Sequence, residues 1–244
     1  MSAREHYRQT VQLTPFHSRT SAANALNLWH RWRDHTVADA YFDVGLEYTA
    51  LRNACAVFDL SPMTKHLITG PDAGAFLDRL VTRDVAKIRP GRVGYAVWCD
   101  DAGQVIDDGT IFHLRENVYR LCSQERQLDW LLASALGFEV TIREESEDVA
   151  ALALQGPTSA AVLQRLGLAG IERLAPFAMR SDAFEGTELL VSRTGFTGDL
   201  GYELWAEIYY QKELKWNRLN ARCRVVKGAF YDPPRRRQTP APAF

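Results

Sequence analysis

Residues 66–81, HLITGPDAGAFLDRLV, join a short apolar strand, a Gly-Pro break and an amphipathic helix. Apolar residues recur at helical spacing from Ala73 to Val81, and Pro71 suits a first turn, where its missing N–H costs nothing. The pattern returns at residues 151–166, ALALQGPTSAAVLQRL, where GPTSAAVLQRL matches GPDAGAFLDRL at six of eleven positions. Two similar strand–turn–helix units are therefore predicted, with a chance similarity of two helix starts as the alternative.

The sequence around these units predicts several more strands and helices. Residues 93–100, 104–114 and 118–123 follow one another across short turns, as in an antiparallel meander. Further strands are predicted over residues 138–146 and 187–194, and helices over 22–34, 45–57 and 128–136. Elements mixed in this order indicate an α+β fold with antiparallel sheets.

Length and composition exclude several classes of protein. The chain has 244 residues, 46% of them hydrophobic and 24% charged, which excludes a wholly disordered or collagen-like chain. No apolar run reaches the roughly 18 residues of a membrane-spanning helix, and the polar N-terminus shows no secretory signal. The four cysteines form no CxxC pair and the six histidines are scattered, so neither a disulfide framework nor a metal site is expected. These features favour a cytoplasmic protein.

Charge is divided unevenly along the chain. Residues 208–244 carry nine Lys and Arg against two acidic residues, a net charge of +7, whereas residues 1–207 carry −8. Together with the loss of periodicity after Glu207, this break predicts a basic tail over 208–244 behind a folded region over 21–207. Residues 1–20 are predicted to form a flexible lead. No nucleic-acid or membrane-binding motif accompanies the tail, so neither partner is predicted.

Two adjacent aspartates, Asp107 and Asp108, interrupt the predicted strand 104–114. Because neighbouring residues of a strand point to opposite faces, one of the two carboxylates is expected to face the interior. A carboxylate in a partly dry site can hold a proton or stabilise a cation, whereas a surface turn or bulge is the plainer explanation of the pair.

A second unusual stretch, residues 193–203 (RTGFTGDLGYE), places three glycines at intervals of three after a strand. Glycine lets a backbone approach a ligand closely. Neither a helix nor a phosphate-binding lysine follows, so the stretch is not a dinucleotide fingerprint or a P-loop. A glycine-bearing hairpin without a ligand is the alternative.

Together, these stretches resemble the glycine-cleavage T-protein family of tetrahydrofolate-dependent aminomethyltransferases and the related folate-dependent demethylases. The matching segments span roughly residues 20–207 and are EYTALRNACAVFDLSPM (47–63), ITGPDAGAFLDRLVTRDV (68–85), GYAVWCDDAGQVIDDGTIF (94–112), LALQGP (152–157) and SRTGFTGDLGYELW (192–205). The resemblance implies an α+β cloverleaf, with antiparallel sheets and flanking helices around a central channel for tetrahydrofolate. The family's C-terminal β-barrel has no match here.

The resemblance also implies roles for individual residues. Asp108 matches the catalytic aspartate, and Glu203 matches the glutamate that binds the pterin ring, whose N–H edge a carboxylate can accept side by side. Tyr95 matches a tyrosine of the folate site, and Phe196 stands where T-proteins have a tyrosine. The full set of expected cofactor-binding residues is Tyr95, Asp107, Arg193, Phe196 and Glu203.

Departures from the T-protein pattern leave the one-carbon donor open. Pro62 replaces a histidine, and residues 31–43 (RWRDHTVADAYFD) replace the family's N-terminal Gly-Trp segment. The donor is a small molecule or a carrier-bound group: an aminomethyl group on a lipoyl carrier protein, or the methyl group of a sulfonium, amine or methoxy compound. Without the barrel, a folate-binding scaffold and an inactive homologue are further alternatives to an enzyme.

Overall fold

The computed structural model describes residues 11–208, so the predicted basic tail beyond Ile208 lies outside the described residues. Within this range, thirteen strands form three sheets that five α-helices accompany. The helices are α1 (His17–Ala23), α2 (Val44–Asn53), α3 (Ala73–Leu80), α4 (Leu128–Ser134) and α5 (Ser159–Arg165). The strands are β1 (Gln12–Leu13), β2 (Leu28–Trp32), β3 (His35–Ala40), β4 (Ala56–Asp59), β5 (Thr64–Thr69), β6 (Arg92–Cys99), β7 (Val105–Arg115), β8 (Val118–Ser123), β9 (Thr141–Glu144), β10 (Val149–Gln155), β11 (Met179–Phe184), β12 (Thr187–Ser192) and β13 (Gly201–Glu207). None of these helices is long and apolar enough to cross a membrane.

The first Gly-Pro unit builds one five-stranded sheet. β5 leads through Gly70 into α3, and the chain then forms the meander β6, β7 and β8 before α4 and β9. The strand order is β6-β7-β8-β5-β9, and every pairing is antiparallel. Gly70 has a φ of 134°, a conformation that glycine tolerates and other residues rarely adopt.

The second Gly-Pro unit repeats this arrangement in another five-stranded sheet. β10 leads through Gly156, with a φ of 125°, into α5, and the meander β11, β12 and β13 follows. The strand order is β11-β12-β13-β10-β4, so each sheet places the strand before its Gly-Pro in the same position. The predicted pair of similar units is thereby confirmed, and β4 takes the edge position that β9 occupies in the first sheet.

The two five-stranded sheets pack face to face. α3 covers the outer face of the first sheet through Phe76 and Leu77, and α5 covers the outer face of the second through Val162 and Leu163. Between the sheets, the rings of Phe112 on β7 and Trp205 on β13 meet edge to face with centroids 5.1 Å apart. These buried side chains between the sheets hold the two inner faces against each other.

A three-stranded sheet, β1-β3-β2, shows that the helix predicted over residues 22–34 is wrong. α1 ends at Ala23, and β2 pairs with β3 across the two-residue turn Arg33-Asp34, in which Arg33 has a φ of 54°. β2 reads LWHRW, and its aromatic residues favour a strand over a helix.

The predicted lead over residues 1–20 contains regular structure in its described part. Residues 11–20 include β1, which pairs in parallel with β3, and the beginning of α1. Backbone pairing of β1 orders a segment whose polar sequence suggests flexibility.

Candidate functional site

An open cavity of about 1320 Å³ lies where the three sheets meet. Four of the six predicted site residues line it: Tyr95, Asp108, Phe196 and Glu203. Asp108 stands on the inner face of the first five-stranded sheet and Glu203 on the inner face of the second. The fold therefore brings together two carboxylates that are 95 positions apart in the chain.

Tyr95 and Asp108 form the wall on the first sheet. In the register of β6 and β7, Tyr95 pairs with Thr110 and Asp108 pairs with Val97, which puts both side chains on one face. Both residues are exposed, Tyr95 to 48%. The hydrogen bond to Asp108 raises the pKa of Tyr95, with smaller contributions from desolvation and from the charge of the aspartate.

Glu203, on the second sheet, is 7% exposed, and its carboxylate is hydrogen-bonded on the side away from the cavity. The hydroxyl of Thr194 donates a hydrogen bond to Oε2 of Glu203 at 2.6 Å. Burial raises the pKa of the Glu203 carboxyl, and the hydrogen bond from Thr194 opposes that rise. Within residues 11–208, Thr194 is the one hydrogen-bond partner of this carboxylate, so its second oxygen is available to a ligand in the cavity.

Two more polar groups lie behind Thr194. Ser192 Oγ is 2.7 Å from Thr194 Oγ1, and the indole Nε1 of Trp205 donates to Ser192 Oγ at 3.3 Å. Ser192 and Trp205 are buried, and both share the inner face of the second sheet with Glu203. The carboxylate thus ends a buried row of hydrogen-bonding side chains.

The loop that carries Phe196 folds over Gln155, the last residue of β10. The Gln155 amide is fully buried, donates to the carbonyls of Thr194 (3.2 Å) and Tyr202 (3.4 Å), and accepts from the Thr197 hydroxyl at 3.0 Å. A Cβ at Gly195 or Gly201 would overlap the Gln155 side chain. These two glycines thus allow the loop to pack on Gln155, a protein side chain, where the sequence suggested a close approach to a ligand. Phe196, at the loop's tip, is 65% exposed and meets the ring of Phe58.

Asp107 and Arg193 do not line the cavity. Asp107 is buried, and its carboxylate accepts hydrogen bonds from the backbone N–H groups of Asp108 (2.8 Å) and Glu125 (3.2 Å). Arg193 donates to the carbonyl of Leu174 at 2.8 Å. The alternation of a strand explains the aspartate pair, because one carboxylate supports the backbone and its neighbour reaches the cavity.

A cluster with the composition of a metal site lies elsewhere, at Asp34, His35 and Glu147. The two ring nitrogens of His35 contact Asp34 at 2.9 Å and Glu147 at 3.3 Å, on opposite sides of the ring. Arg33 and Arg126 lie within 4 Å of the same carboxylates. This ion-pair network accounts for the cluster, and it joins the β2–β3 turn to the segment before β10.

Sequence reasoning missed Thr194, Gln155 and Phe58 as parts of the site. Both Thr194 and Gln155 lie inside the quoted motifs, and a polar residue at the end of an apolar strand was the available signal. Gln155 lies 39 to 47 positions from its partners and Thr194 lies nine positions from Glu203, so these hydrogen bonds become visible only once β10, β12 and β13 are paired.

Comparison with known proteins places this geometry in a family. The model of the GCVT N-terminal domain matches residues 16–226, which extends past the end predicted for the folded region. The chain belongs to the GCVT N-terminal domain family. Its relatives include an aminomethyltransferase of Lysinibacillus sphaericus, 38% identical over 65% of this chain and 45% of the relative, and one of Thermotoga maritima, 32% identical over 77% and 52%.

A solved structure supports the same assignment for the fold. Glycine cleavage system aminomethyltransferase T from Bartonella henselae matches with a TM-score of 0.71 and 27% identity, over 81% of this chain and 54% of that one. The α+β fold with antiparallel sheets is therefore that of the GCVT family, as the sequence predicts. The chain spans about half the length of the curated relatives it matches.

Proposed function

We propose that this GCVT domain is the folate-binding part of a tetrahydrofolate-dependent aminomethyltransferase of the glycine cleavage system. The observation that carries the proposal is that Asp108 and Glu203, on facing sheets, line one cavity. The relatives cited above are named aminomethyltransferases, which favours aminomethyl transfer over demethylation and over a scaffold role.

The cavity suits a reduced pterin in size and in chemistry. Its volume of about 1320 Å³ exceeds the roughly 300–1,000 Å³ of ordinary small-molecule sites, which leaves room for a cofactor and a donor. The available oxygen of Glu203 is an acceptor for the N–H edge of a pterin, and charge-assisted bonds of this kind are strong. Phe58 and Phe196, with ring centroids 5.6 Å apart, offer apolar edges beside it.

The two walls have different tasks in this proposal. Tetrahydrofolate supplies the nitrogen that takes the one-carbon unit. Glu203 orients the pterin, while Asp108 stabilises positive charge that develops as the donor's carbon–sulfur bond breaks. Tyr95 stands next to that carboxylate on the same face of the first sheet.

The donor and its carrier belong to the same proposal. The cavity is open, so a lipoyl arm on a carrier protein can reach it from solvent. The cytoplasmic setting favoured by the sequence would suit such a partner.

Transfer assays with alternative donors test the proposal. The chain is incubated with tetrahydrofolate and, in separate arms, an aminomethyl-loaded lipoyl carrier, a sulfonium, a methylamine and an aryl methyl ether. We expect ammonia release and methylenetetrahydrofolate formation only in the arm that contains the aminomethyl-loaded lipoyl carrier. Turnover confined to a methyl donor would establish a demethylase instead, and binding of folate without turnover in any arm would indicate a scaffold or an inactive homologue.

A further inference from the structure

The hydrogen bonds behind Glu203 have a single consistent direction. An indole N–H can only donate, so Trp205 donates to Ser192. An ionised carboxylate can only accept, so the one hydroxyl hydrogen of Thr194 goes to Glu203. Ser192 must then donate to Thr194, because the Thr194 hydrogen is already engaged. Every donor in the row points toward the carboxylate.

This row is buried while the carboxylate reaches the cavity. Thr194 is 6% exposed, and Ser192 and Trp205 are enclosed between the sheets. In such surroundings a hydrogen bond to a charged group is worth more than at a surface, and a row of bonds polarises its members. The Thr194 hydroxyl thus takes one oxygen of Glu203 and leaves the other on the cavity side.

We propose that Thr194 is a positioning residue for the ligand carboxylate, its hydroxyl holding Oε2 of Glu203 so that the other oxygen meets the pterin. The inference rests on the proposed function, since it presumes that Glu203 binds folate. It adds to that function a residue that need not touch the ligand. Ser192 and Trp205 support the role by fixing the direction in which the hydroxyl points.

The role has a pH signature. Protonation of Glu203 removes the negative charge that its free oxygen presents to the pterin N–H edge, so affinity falls as the pH drops through the pKa of Glu203, which burial already raises. Removing the Thr194 hydroxyl removes the bond that opposes this rise. Affinity in a Thr194→Val variant is therefore lost at a higher pH than in the wild type.

Other titratable groups face the same space and must be separated from Glu203. Cys122 of β8 is affected by the charge of Glu203, but burial raises its pKa to about 12, so it stays neutral. Asp59 of β4, and Tyr95 and Asp108 of the first sheet, line the cavity. A Glu203→Gln variant identifies the group whose protonation changes the affinity. If the pH dependence of binding disappears in this variant, it is caused by Glu203.

The test is calorimetric titration of the full chain with tetrahydrofolate, under reducing conditions, across a pH series. Thr194→Val should weaken binding near pH 7 roughly tenfold or more, the scale of one hydrogen bond to a charged group, and should move the midpoint of the pH profile upward. Thr194→Ser keeps the hydroxyl and should restore both the affinity and the midpoint. Thr64→Val is the matched control, because the Thr64 hydroxyl is buried without a hydrogen-bond partner among the described residues.

The outcomes separate this inference from the proposed function. Wild-type affinity in Glu203→Gln would overturn the folate site itself. Loss of binding in Glu203→Gln would support the folate site. If the pH midpoint of Thr194→Val were then unchanged, or if Thr194→Ser bound as weakly as Thr194→Val, the role of Thr194 would be refuted. Should Thr194→Val fail to fold, Ser192→Ala provides a second test, with a smaller upward shift expected and no shift refuting the role.

Discussion

The two five-stranded sheets share one topology but differ at the connection between the second and third strands of the meander. In the first sheet β7 passes to β8 through the two residues 116–117, whereas in the second β12 passes to β13 through the eight residues 193–200. The longer loop carries Phe196 and lines the cavity, while the short turn does not. One copy of the repeated scaffold thus contains a longer loop that lines the cavity.

The residue before each Gly-Pro follows this difference. Thr69 ends β5, and Gln155 ends β10. Gln155 is fully buried and makes hydrogen bonds to Thr194 and Thr197 of the longer loop and to Tyr202 of β13, whereas the corresponding connection in the first sheet is only the two-residue turn 116–117. The same position in the repeated unit thus carries a loop-supporting amide in the second sheet, whereas the first sheet has only a short turn in place of that loop.

Replacing the exposed carboxylate should have the largest effect. We expect Asp108→Asn to lower the rate of one-carbon transfer by roughly 100-fold, since it removes the charge that stabilises the developing cation, and to change tetrahydrofolate affinity little. Single-turnover transfer assays alongside calorimetry measure the two quantities. An Asp108→Asn protein that loses binding and rate in proportion would mean that both walls merely bind the cofactor.

A paired substitution at the ends of β10 and β5 tests the comparison directly. Gln155→Leu leaves the carbonyls of Thr194 and Tyr202 without their side-chain donor, so the free energy of unfolding should fall by about 1–3 kcal/mol. Thr69→Val, at the equivalent position, should change it by less than about 0.5 kcal/mol. Urea denaturation measures both. Equal losses would show that the two positions do the same structural work.

The smallest expected effect concerns the hydroxyl of Tyr95. Because Tyr95 and Asp108 are both exposed, water can replace the lost hydrogen bond in Tyr95→Phe. We expect a change of roughly two- to fivefold in transfer rate and unchanged stability, because an interaction between two solvent-exposed groups contributes little. A hundredfold loss of transfer rate would mean that Tyr95 takes part in the chemical step, which contradicts the minor role expected for it.

The sequence predicts those parts of the molecule in which local pattern and fold agree. Both Gly-Pro units are visible because apolar spacing, proline and glycine all indicate the same strand–turn–helix. The helix predicted around Trp29 and Trp32 is wrong because residues three apart fit a helical stripe, whereas β2 is stabilised by pairing with β3, which no local window contains.

The candidate site likewise contains residues that the sequence predicts and residues that it does not. The positions of Asp108 and Glu203 came from the family resemblance, and strand alternation explained why only one of two adjacent aspartates reaches the cavity. The prediction that Arg193 and Asp107 bind the cofactor does not agree with their placement in the structure. The charged group of each residue is hydrogen-bonded to nearby backbone groups. The hydrogen bonds of Thr194 and Gln155 depend on the pairing of β13 with β12 and with β10, which spacing alone does not reveal.

Titration calorimetry with tetrahydrofolate on the wild type and on Glu203→Gln tests the central claim most directly. Glu188→Gln, an exposed glutamate on β12, is the matched control. We expect saturable binding by the wild type and by Glu188→Gln, and a roughly tenfold to hundredfold loss in Glu203→Gln, because the amide offers a single acceptor without charge. Equal affinity in all three proteins, or no binding by a folded wild type, would contradict it.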